Sequence, residues 1–151
     1  MTAESKQTLT KEEIKTIVTN VLKKDKNIVF AILFGSYARG DYFKFSDIDV
    51  AVYLKKCPKN TLKYELQLAS ELSKALKTDN LDIVILNEAP PALKYEIMVD
   101  GELLFTRDED LYCFFYSYAL REFFDFKYHL QQFFDDAIEN LLRSQKDEAV
   151  G

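Results

Sequence analysis

The sequence feature that most constrains this chain is an apolar run that stops at a glycine and a serine and is followed by two alternating aspartates. The apolar run covers 28–34, Gly35 and Ser36 end it, and Asp47 and Asp49 open a second apolar run. Carboxylates at the mouth of a β-strand are costly to desolvate unless a positive charge compensates them. The pattern therefore predicts a first strand that is buried on both faces and ends in a polar bend, and a second strand that begins with carboxylates.

The two aspartates are predicted to act together. Alternate residues of a strand point to the same face, so Asp47 and Asp49 project together, while Ile48 and Val50 face the opposite way, towards a core. Two carboxylates so close repel each other, and a shared cation would remove the repulsion. Divalent metal ions such as Mg²⁺ prefer oxygen ligands, so we expect a metal site here.

The Gly35-Ser36 bend adds a second expectation. Gly35 permits close backbone approach or an unusual dihedral angle. Ser36 stands where a short helix can start, and free backbone N–H groups there suit a phosphate. A phosphate cradle beside a metal cradle fits phosphoryl or nucleotidyl transfer by metal-bridged, in-line displacement.

These residues carry a family resemblance. The Gly-Ser pair, ten intervening residues and then Asp47-Ile48-Asp49 resemble the signature of the polymerase-β-type nucleotidyltransferase superfamily. The small size of the chain and two further stretches resemble the minimal members of that superfamily, the MNT antitoxins, which are encoded beside HEPN ribonuclease toxins. The resemblance covers roughly residues 10 to 107, and the further stretches are Arg39-Gly40 and Pro90-Pro91 with Gly101-Glu102-Leu103-Leu104.

The resemblance implies the fold. It predicts an α/β (α+β) protein of the polymerase-β-like nucleotidyltransferase type, with a small mixed sheet flanked by helices and a long C-terminal helix. We expect residues 1–107 to form the nucleotidyltransferase core and residues 108–151 to form a helical extension that packs on the core and on a partner.

The resemblance also implies roles for six residues. Asp47 and Asp49 would hold two Mg²⁺ ions. Asp82 would be a third catalytic carboxylate on a strand beside theirs and would complete the ligand shell of the second ion. Asp82 has a simpler alternative, because an aspartate at a strand end facing water is common. The nucleotide-binding candidates are Gly35, Ser36 and Arg39.

Three neighbouring side chains have open alternatives. Arg39 either contacts phosphate or forms an ion pair with Asp41 or Asp47. Tyr37 and Tyr42 either stack on a nucleotide base or are ordinary loop tyrosines.

The implied function is that of an antitoxin. It would transfer AMP from ATP to a tyrosine hydroxyl of a cognate HEPN toxin and so silence the ribonuclease, with ATP and Mg²⁺ as substrate and cofactor. Two alternatives remain: a non-catalytic antitoxin that neutralises by docking, and a nucleotidyltransferase acting on a small molecule such as an aminoglycoside.

The last helix is predicted from about Glu109 to Arg143 and is unusually aromatic, with 11 of the 21 aromatic residues of the chain. One interpretation is a helix, broken near Asp125, that folds back as ordinary core. The other is that part of its surface docks a partner, since large exposed aromatic patches usually mark interfaces.

Composition excludes several classes of protein. A net charge of −5 argues against a general nucleic-acid binder. Cys57 and Cys113 have no metal-like spacing and are expected to be reduced thiols. A single histidine, His129, gives no support for a zinc site. No secretory or membrane-spanning segment is evident, so we expect a soluble cytoplasmic protein.

The helix between the second and third strands is predicted from Thr61 to Lys77. Its expected buried face follows helical spacing. The residues of that face are Leu62, Leu66, Ala69, Leu72 and Leu76.

Overall fold

The protein folds around a four-stranded mixed sheet. The computed structural model describes residues 9–41 and 46–150, and within them the strand order is β3-β2-β1-β4. Strands β2 and β3 run parallel, and β1 pairs antiparallel with both β2 and β4. The elements in chain order are α1 (Lys11–Leu22), β1 (Ile28–Phe34), α2 (Ser36–Arg39), β2 (Ile48–Leu54), α3 (Thr61–Leu76), β3 (Leu81–Ile85), a 3-10 turn (Leu86–Glu88), α4 (Pro91–Asp100), β4 (Glu102–Thr106) and α5 (Glu109–Val150).

Strand β1 is central because it can be buried on both faces. Its residues are apolar throughout, and six of its seven positions are buried. Such a run has no polar face to turn towards water, so the chain can place it only between two layers of helices. The predicted bounds and double burial of this strand are both confirmed.

Each face of the sheet is covered by its own pair of helices. On one face α1 and α3 pack against Val50 and Val52 of β2, contributing residues such as Val18 and Leu72. On the other face lie α4 and α5, which pack against alternate residues of the same strands. Alternation along the strands therefore decides which layer each side chain joins.

Helix α1 begins at a capping box, which Thr10 followed three residues later by Glu13 predicts from the sequence. The Thr10 side chain accepts a hydrogen bond of 3.2 Å from the Glu13 backbone N–H. This bond satisfies one of the amide groups that a helix start leaves without a partner.

Helix α3 also lies where it is predicted, but its predicted buried face is partly wrong. Leu62 and Leu66 are exposed, and Leu68 is buried beside Leu72 and Leu76. The side of α3 that meets the core runs through Tyr64, Leu68, Leu72 and Leu76, so Leu62 and Leu66 of the predicted face lie on a different side of the helix.

The far ends of β2 and β3 are joined by one amide side chain. Asn87 accepts a hydrogen bond from the Leu54 N–H and donates one to the Leu54 carbonyl, both at 2.9 Å. The side chain thus continues the pairing of the sheet by one step after β3 ends at Ile85.

Helix α5 is longer than predicted and differs along its length. It is one unbroken helix of 42 residues, with no break near Asp125 and no end at Arg143. Phe115 and Ala119 are buried against the sheet and α4. From residue 124 to 147, every side chain except the half-buried Ala137 is exposed. The expectation of ordinary core therefore holds only for the first part of the helix.

Two smaller expectations concern the whole chain. Cys57 and Cys113 are both unpaired and exposed. Across residues 9–41 and 46–150, we find no helix that combines the length and apolar character required to cross a membrane.

Candidate active site

The sheet register places the predicted site residues in a row across three strands. Phe34, the last residue of β1, pairs with Asp49 of β2, and Asp49 pairs with Asp82 of β3. Gly35 follows Phe34 directly. The predicted neighbourhood of Asp82 and Asp49 is therefore present, because residues in register on adjacent strands point to the same face.

That face is the one covered by α4 and α5. Ala51 and Val84 lie two residues after Asp49 and Asp82, and both pack in the layer of α4 and α5. Ile48 and Val50, as expected, are buried in the opposite layer. At this end of the sheet, apolar side chains therefore point into the layer of α1 and α3. The carboxylates lie at the edge of the layer of α4 and α5.

Gly35 makes room for the Asp49 carboxylate. Its φ of 75° lies in the region that favours glycine, and its ψ is −152°. A Cβ atom placed at Gly35 would overlap Oδ2 of Asp49. The glycine is required both by its backbone conformation and by the carboxylate that fills the space beside it.

Asp49 is in an environment that disfavours its charge. Burial, followed by repulsion from Asp82 and Asp47, raises the pKa of the Asp49 carboxyl from its ordinary value of 3.8 to about 6, and Arg39 opposes this rise. Desolvation and like charges both favour the protonated form. The arrangement stores electrostatic repulsion that a cation would relieve.

The three carboxylates differ in exposure. Asp49 is half-buried, whereas Asp47, just before β2, and Asp82, on the edge strand, are exposed. Among residues 9–41 and 46–150, no three Asp, Glu, His or Cys side chains lie close enough together to form a complete metal site. The three aspartates are neighbours, but their side chains are not gathered around one point.

The donor set nevertheless fits a divalent cation. It consists of carboxylate oxygens, the ligands that Mg²⁺ prefers. The repulsion on Asp49 comes mainly from the two other predicted ligands, Asp82 and Asp47, and the positive charge of Arg39 opposes it. The residues present thus match the chemistry of the predicted ion.

The bend after β1 is a single helical turn, as predicted. Helix α2 has four residues, and the N–H of Gly40, which has a φ of 84°, donates to the Ser36 carbonyl at 3.0 Å. Ser36 itself is half-buried. Lys11 of α1 donates to the Ala38 carbonyl at 3.4 Å and so ties the turn to α1. The bend is therefore held by a hydrogen bond within its own turn and by one from α1.

Arg39 forms one of the two contacts left open by the sequence. Its Nε lies 3.4 Å from Oδ2 of Asp41, and both side chains are largely exposed. Exposed pairs of this kind contribute little to stability. The pair would therefore be easy to exchange for another anion, and the phosphate role of Arg39 stays a prediction.

Tyr37 does not provide a surface on which a nucleotide base could stack. Its side chain is 4% exposed and belongs to the core between the sheet and the layer of α1 and α3. A ring buried there cannot stack on a bound nucleotide. Tyr42, the other candidate, lies outside the described residues.

Glu96 is a site neighbour that the sequence analysis missed. It is an exposed residue of α4 and contributes to the raised pKa of Asp49. Nothing in the local sequence around Glu96 marks it, since an acidic residue on an amphipathic helix is ordinary. Its place becomes evident only when α4 is laid across the sheet.

Comparisons with known proteins agree with the motif. Residues 15–110 match the family model described as polymerase beta, nucleotidyltransferase. A stretch of 87 residues is 34% identical to MJ0141 of Methanocaldococcus jannaschii, a proposed protein adenylyltransferase, and covers 48% of this chain and 86% of that protein. A stretch of 78 residues is 36% identical to the protein adenylyltransferase MntA of Shewanella oneidensis, and covers 52% of this chain and 54% of that protein.

Solved structures share the fold. One is a complex of a tri-AMPylated Shewanella oneidensis HEPN toxin with an MNT antitoxin. This chain matches a chain of that complex with a TM-score of 0.67 at 22% identity, over 85% of this chain and 98% of the other. The family match covers more than half of the sequence, and the shared architecture is the predicted mixed sheet with a long C-terminal helix. The chain therefore belongs to the polymerase β nucleotidyltransferase family.

Proposed function

We propose that this chain is an antitoxin that works as a protein adenylyltransferase. It would transfer AMP from ATP to a tyrosine hydroxyl of a cognate HEPN ribonuclease toxin. Support comes from the names of its relatives, one a protein adenylyltransferase and another a proposed one, and from the AMPylated toxin in a complex of similar fold. The three aspartates and the Gly35-Ser36 bend are residue types that suit such a transfer.

The observation that carries the proposal is the register of Phe34, Asp49 and Asp82 across three strands, with Gly35 directly after Phe34. It brings a backbone bend without a side chain next to a half-buried carboxylate whose pKa is raised to about 6. A purely structural aspartate would be placed where its charge is compensated, because repulsion of this kind costs stability. Carboxylates that repel each other in this way are typical of functional sites, so the raised pKa of Asp49 indicates a functional role.

We assign the residues as follows. Asp47, Asp49 and Asp82 would hold Mg²⁺, which would neutralise charge on the triphosphate and lower the pKa of the attacking hydroxyl. Ser36 and the backbone amides of α2 bind the outgoing phosphates, and Gly35 lets them approach. Arg39 exchanges its ion pair with Asp41 for a phosphate oxygen.

The transfer balances as a simple substitution. The tyrosine oxygen of the toxin forms a bond to the α-phosphorus of ATP, and the bond from that phosphorus to the bridging oxygen breaks. Pyrophosphate leaves with the electron pair, and the hydroxyl proton passes to Asp82, which is exposed on the edge strand and open to solvent. Holding the groups in line supplies much of the rate enhancement.

The experiment uses two differently labelled forms of ATP with the chain, its neighbour-encoded toxin and Mg²⁺. Label at the α-phosphate should appear on the toxin, and label at the γ-phosphate should appear in pyrophosphate. Peptide mapping should place the adduct on tyrosine. Incorporation of γ-label into the toxin would instead indicate phosphoryl transfer and would overturn the assignment of AMP as the transferred group.

Neutralisation by docking alone is a second candidate, favoured by the exposed apolar side chains of α5. The double variant Asp47→Asn with Asp49→Asn separates the two candidates. If the toxin remains bound but is no longer silenced, catalysis is required. If silencing survives, docking alone suffices.

A further inference from the structure

Glu102 and two lysines of α1 form an ion-pair cluster beside the Gly35-Ser36 bend. Nζ of Lys11 lies 2.9 Å from Oε2 of Glu102, and Nζ of Lys15 pairs with Oε1 of the same carboxylate. The side chains of Lys11, Lys15 and Glu102 are 27%, 24% and 35% exposed. Partly buried pairs are screened by salt less than fully exposed ones, so these charges act on each other more strongly than a surface pair does.

Lys11 differs from Lys15 because its second partner lies in another element. Its Nζ also donates a hydrogen bond of 3.4 Å to the Ala38 carbonyl of α2. Lys15 has its further contact within its own helix, with Glu12 at 3.9 Å. The ammonium group of Lys11 therefore joins the start of β4 to α2.

We propose that Lys11 is a positioning residue for nucleotide binding, which holds α2 in the orientation that the triphosphate requires. This inference rests on the proposed function, which assigns the outgoing phosphates to Ser36 and the backbone amides of α2. Lys11 acts through Ala38 rather than by touching the nucleotide.

Helix α2 is too short to fix its own orientation. It has four residues, and helices of that length are not stable by themselves because nucleation costs more than a few hydrogen bonds return. Within the turn, the Arg39 N–H donates to the Gly35 carbonyl at 3.1 Å. The Gly40 N–H donates to the Ser36 carbonyl at 3.0 Å. Contacts with neighbouring elements must therefore set the direction of α2.

Tyr37 and Lys11 anchor α2 at two different points. The Tyr37 side chain is 4% exposed and packs in the core between the sheet and the layer of α1 and α3. A turn held by one ring can still pivot about that ring, so a second point is needed to fix its orientation. The bond from Lys11 to the Ala38 carbonyl supplies this point, and it satisfies one of the carbonyls that a helix end leaves without a partner.

Glu102 is a firm anchor for Lys11. It begins β4 and pairs with Leu33, two residues before Gly35. Gly101, just before it, lies so close to its neighbours that a Cβ there would overlap atoms of β1 and α4. The bridge through Lys11 therefore spans the bend, from the strand before Gly35 to the turn after it.

The charges of the cluster keep Lys11 in place. Hydrogen bonds from Lys15 and then from Lys11 lower the pKa of the Glu102 carboxyl below its ordinary value. The carboxylate is therefore charged at neutral pH and holds an ammonium group at each of its two oxygens. Lys11 is thereby restrained at the position from which it reaches Ala38.

The first test measures the nucleotide affinity of the full chain with Mg²⁺ by calorimetry. The ligands are α,β-methylene-ATP, whose α–β bridge cannot be cleaved, and AMP, which lacks the outgoing phosphates. Lys11→Met should weaken binding of the triphosphate analogue about tenfold, the effect of losing one hydrogen bond to a charged group, and should leave the affinity for AMP unchanged.

Lys15→Met is the matched control. It removes the same charge and a comparable ion pair with Glu102, but no bond to α2, so both affinities should equal those of the wild type. Equal losses in Lys11→Met and Lys15→Met would overturn the positioning role, because the effect would then be that of charge alone. A wild-type chain that binds neither ligand would contradict the proposed function, and this inference with it.

A second test examines α2 without nucleotide. The amides of Arg39 and Gly40 are bonded within the turn, so their hydrogen exchange reports how often the turn opens. Mass spectrometry of a peptide that includes residues 36–40 should show faster exchange in Lys11→Met than in Lys15→Met or the wild type. Identical exchange in all three proteins would contradict the restraint by Lys11.

Discussion

Asp49 occupies space that a side chain on Gly35 would fill, and this pair of residues determines the local chemistry of the site. The carboxylate is half-buried, and its pKa is raised to about 6 by burial and by two neighbouring aspartates. Such a residue weakens the folded state unless something binds to it. The electrostatic cost of placing Asp49 here indicates that it binds a ligand rather than serving a structural role.

The first prediction concerns Asp49→Asn in metal-free buffer. A raised pKa means that folding favours the protonated carboxyl, so the native state loses stability as the pH rises from about 4 through 6. The variant should therefore be more stable than the wild type at pH 8 and little different at pH 4. Because Asp49 is only half-buried, we expect a gain of about 1 kcal/mol, or roughly 2–4 °C in Tm.

Thermal unfolding at both pH values, with and without Mg²⁺, provides the measurement. Mg²⁺ should raise the Tm of the wild type at pH 8 and leave Asp49→Asn nearly unchanged. An equal response of both proteins would contradict the assignment of Asp49 as a metal ligand.

The second prediction compares two glycines with positive φ. Gly35→Ala should destabilise the chain by roughly 1–3 kcal/mol and abolish adenylylation, since the new Cβ displaces Asp49. Gly40→Ala is the control: its φ is 84°, but in the described part of the chain no atom beyond its immediate neighbours lies within 4 Å of a Cβ there. It should cost about 1–2 kcal/mol and retain activity. Urea unfolding measures the change in stability, and an AMP-transfer assay measures the change in activity. Loss of activity in both variants would show that backbone strain alone disrupts the site.

At the level of elements, α5 shows how one helix can serve two environments. Its proximal part is anchored by Phe115, whose ring centroid lies 4.9 Å from that of Tyr53 and 5.7 Å from that of Phe30. Tyr95 of α4 stacks on Phe123 at 4.1 Å, and Lys94 pairs with Glu122 at 3.2 Å. Beyond these contacts the helix continues without support from the sheet.

The third prediction uses two adjacent phenylalanines of α5. Phe115→Ala removes a ring that is 7% exposed and should cost about 3–5 kcal/mol. Phe114→Ala, at 64% exposure, should change stability by less than about 0.5 kcal/mol. Urea denaturation of both variants measures the difference, and equal destabilisation would mean that the proximal helix packs differently.

The sequence could predict elements whose signals are local. The capping box at Thr10, the apolar run 28–34 and the alternation around Asp49 each describe contacts within a few residues, and these were correct. The buried side of α3 and the length of α5 were not, because the first depends on which side of the helix meets the sheet and the second on how far a helix continues past it. Periodicity identifies a face but cannot tell which part of it has a partner.

At the scale of the whole molecule, the site is a product of sheet topology. Asp82 joins Asp49 only because β3 pairs parallel to β2, and Glu96 approaches only because α4 crosses that face of the sheet. The family motif indicated the first of these, since it names the three carboxylates together. No local pattern indicated the approach of Glu96, because it depends on how α4 packs on the sheet.

We propose that these carboxylates support transfer of AMP to a partner toxin. The most direct measurement is the intact mass of the toxin after incubation with the chain, ATP and Mg²⁺. The wild-type chain should add one or more adenylate-sized increments, and the Asp47→Asn, Asp49→Asn double variant should add none while still binding the toxin. A toxin that is silenced yet unchanged in mass would contradict the claim.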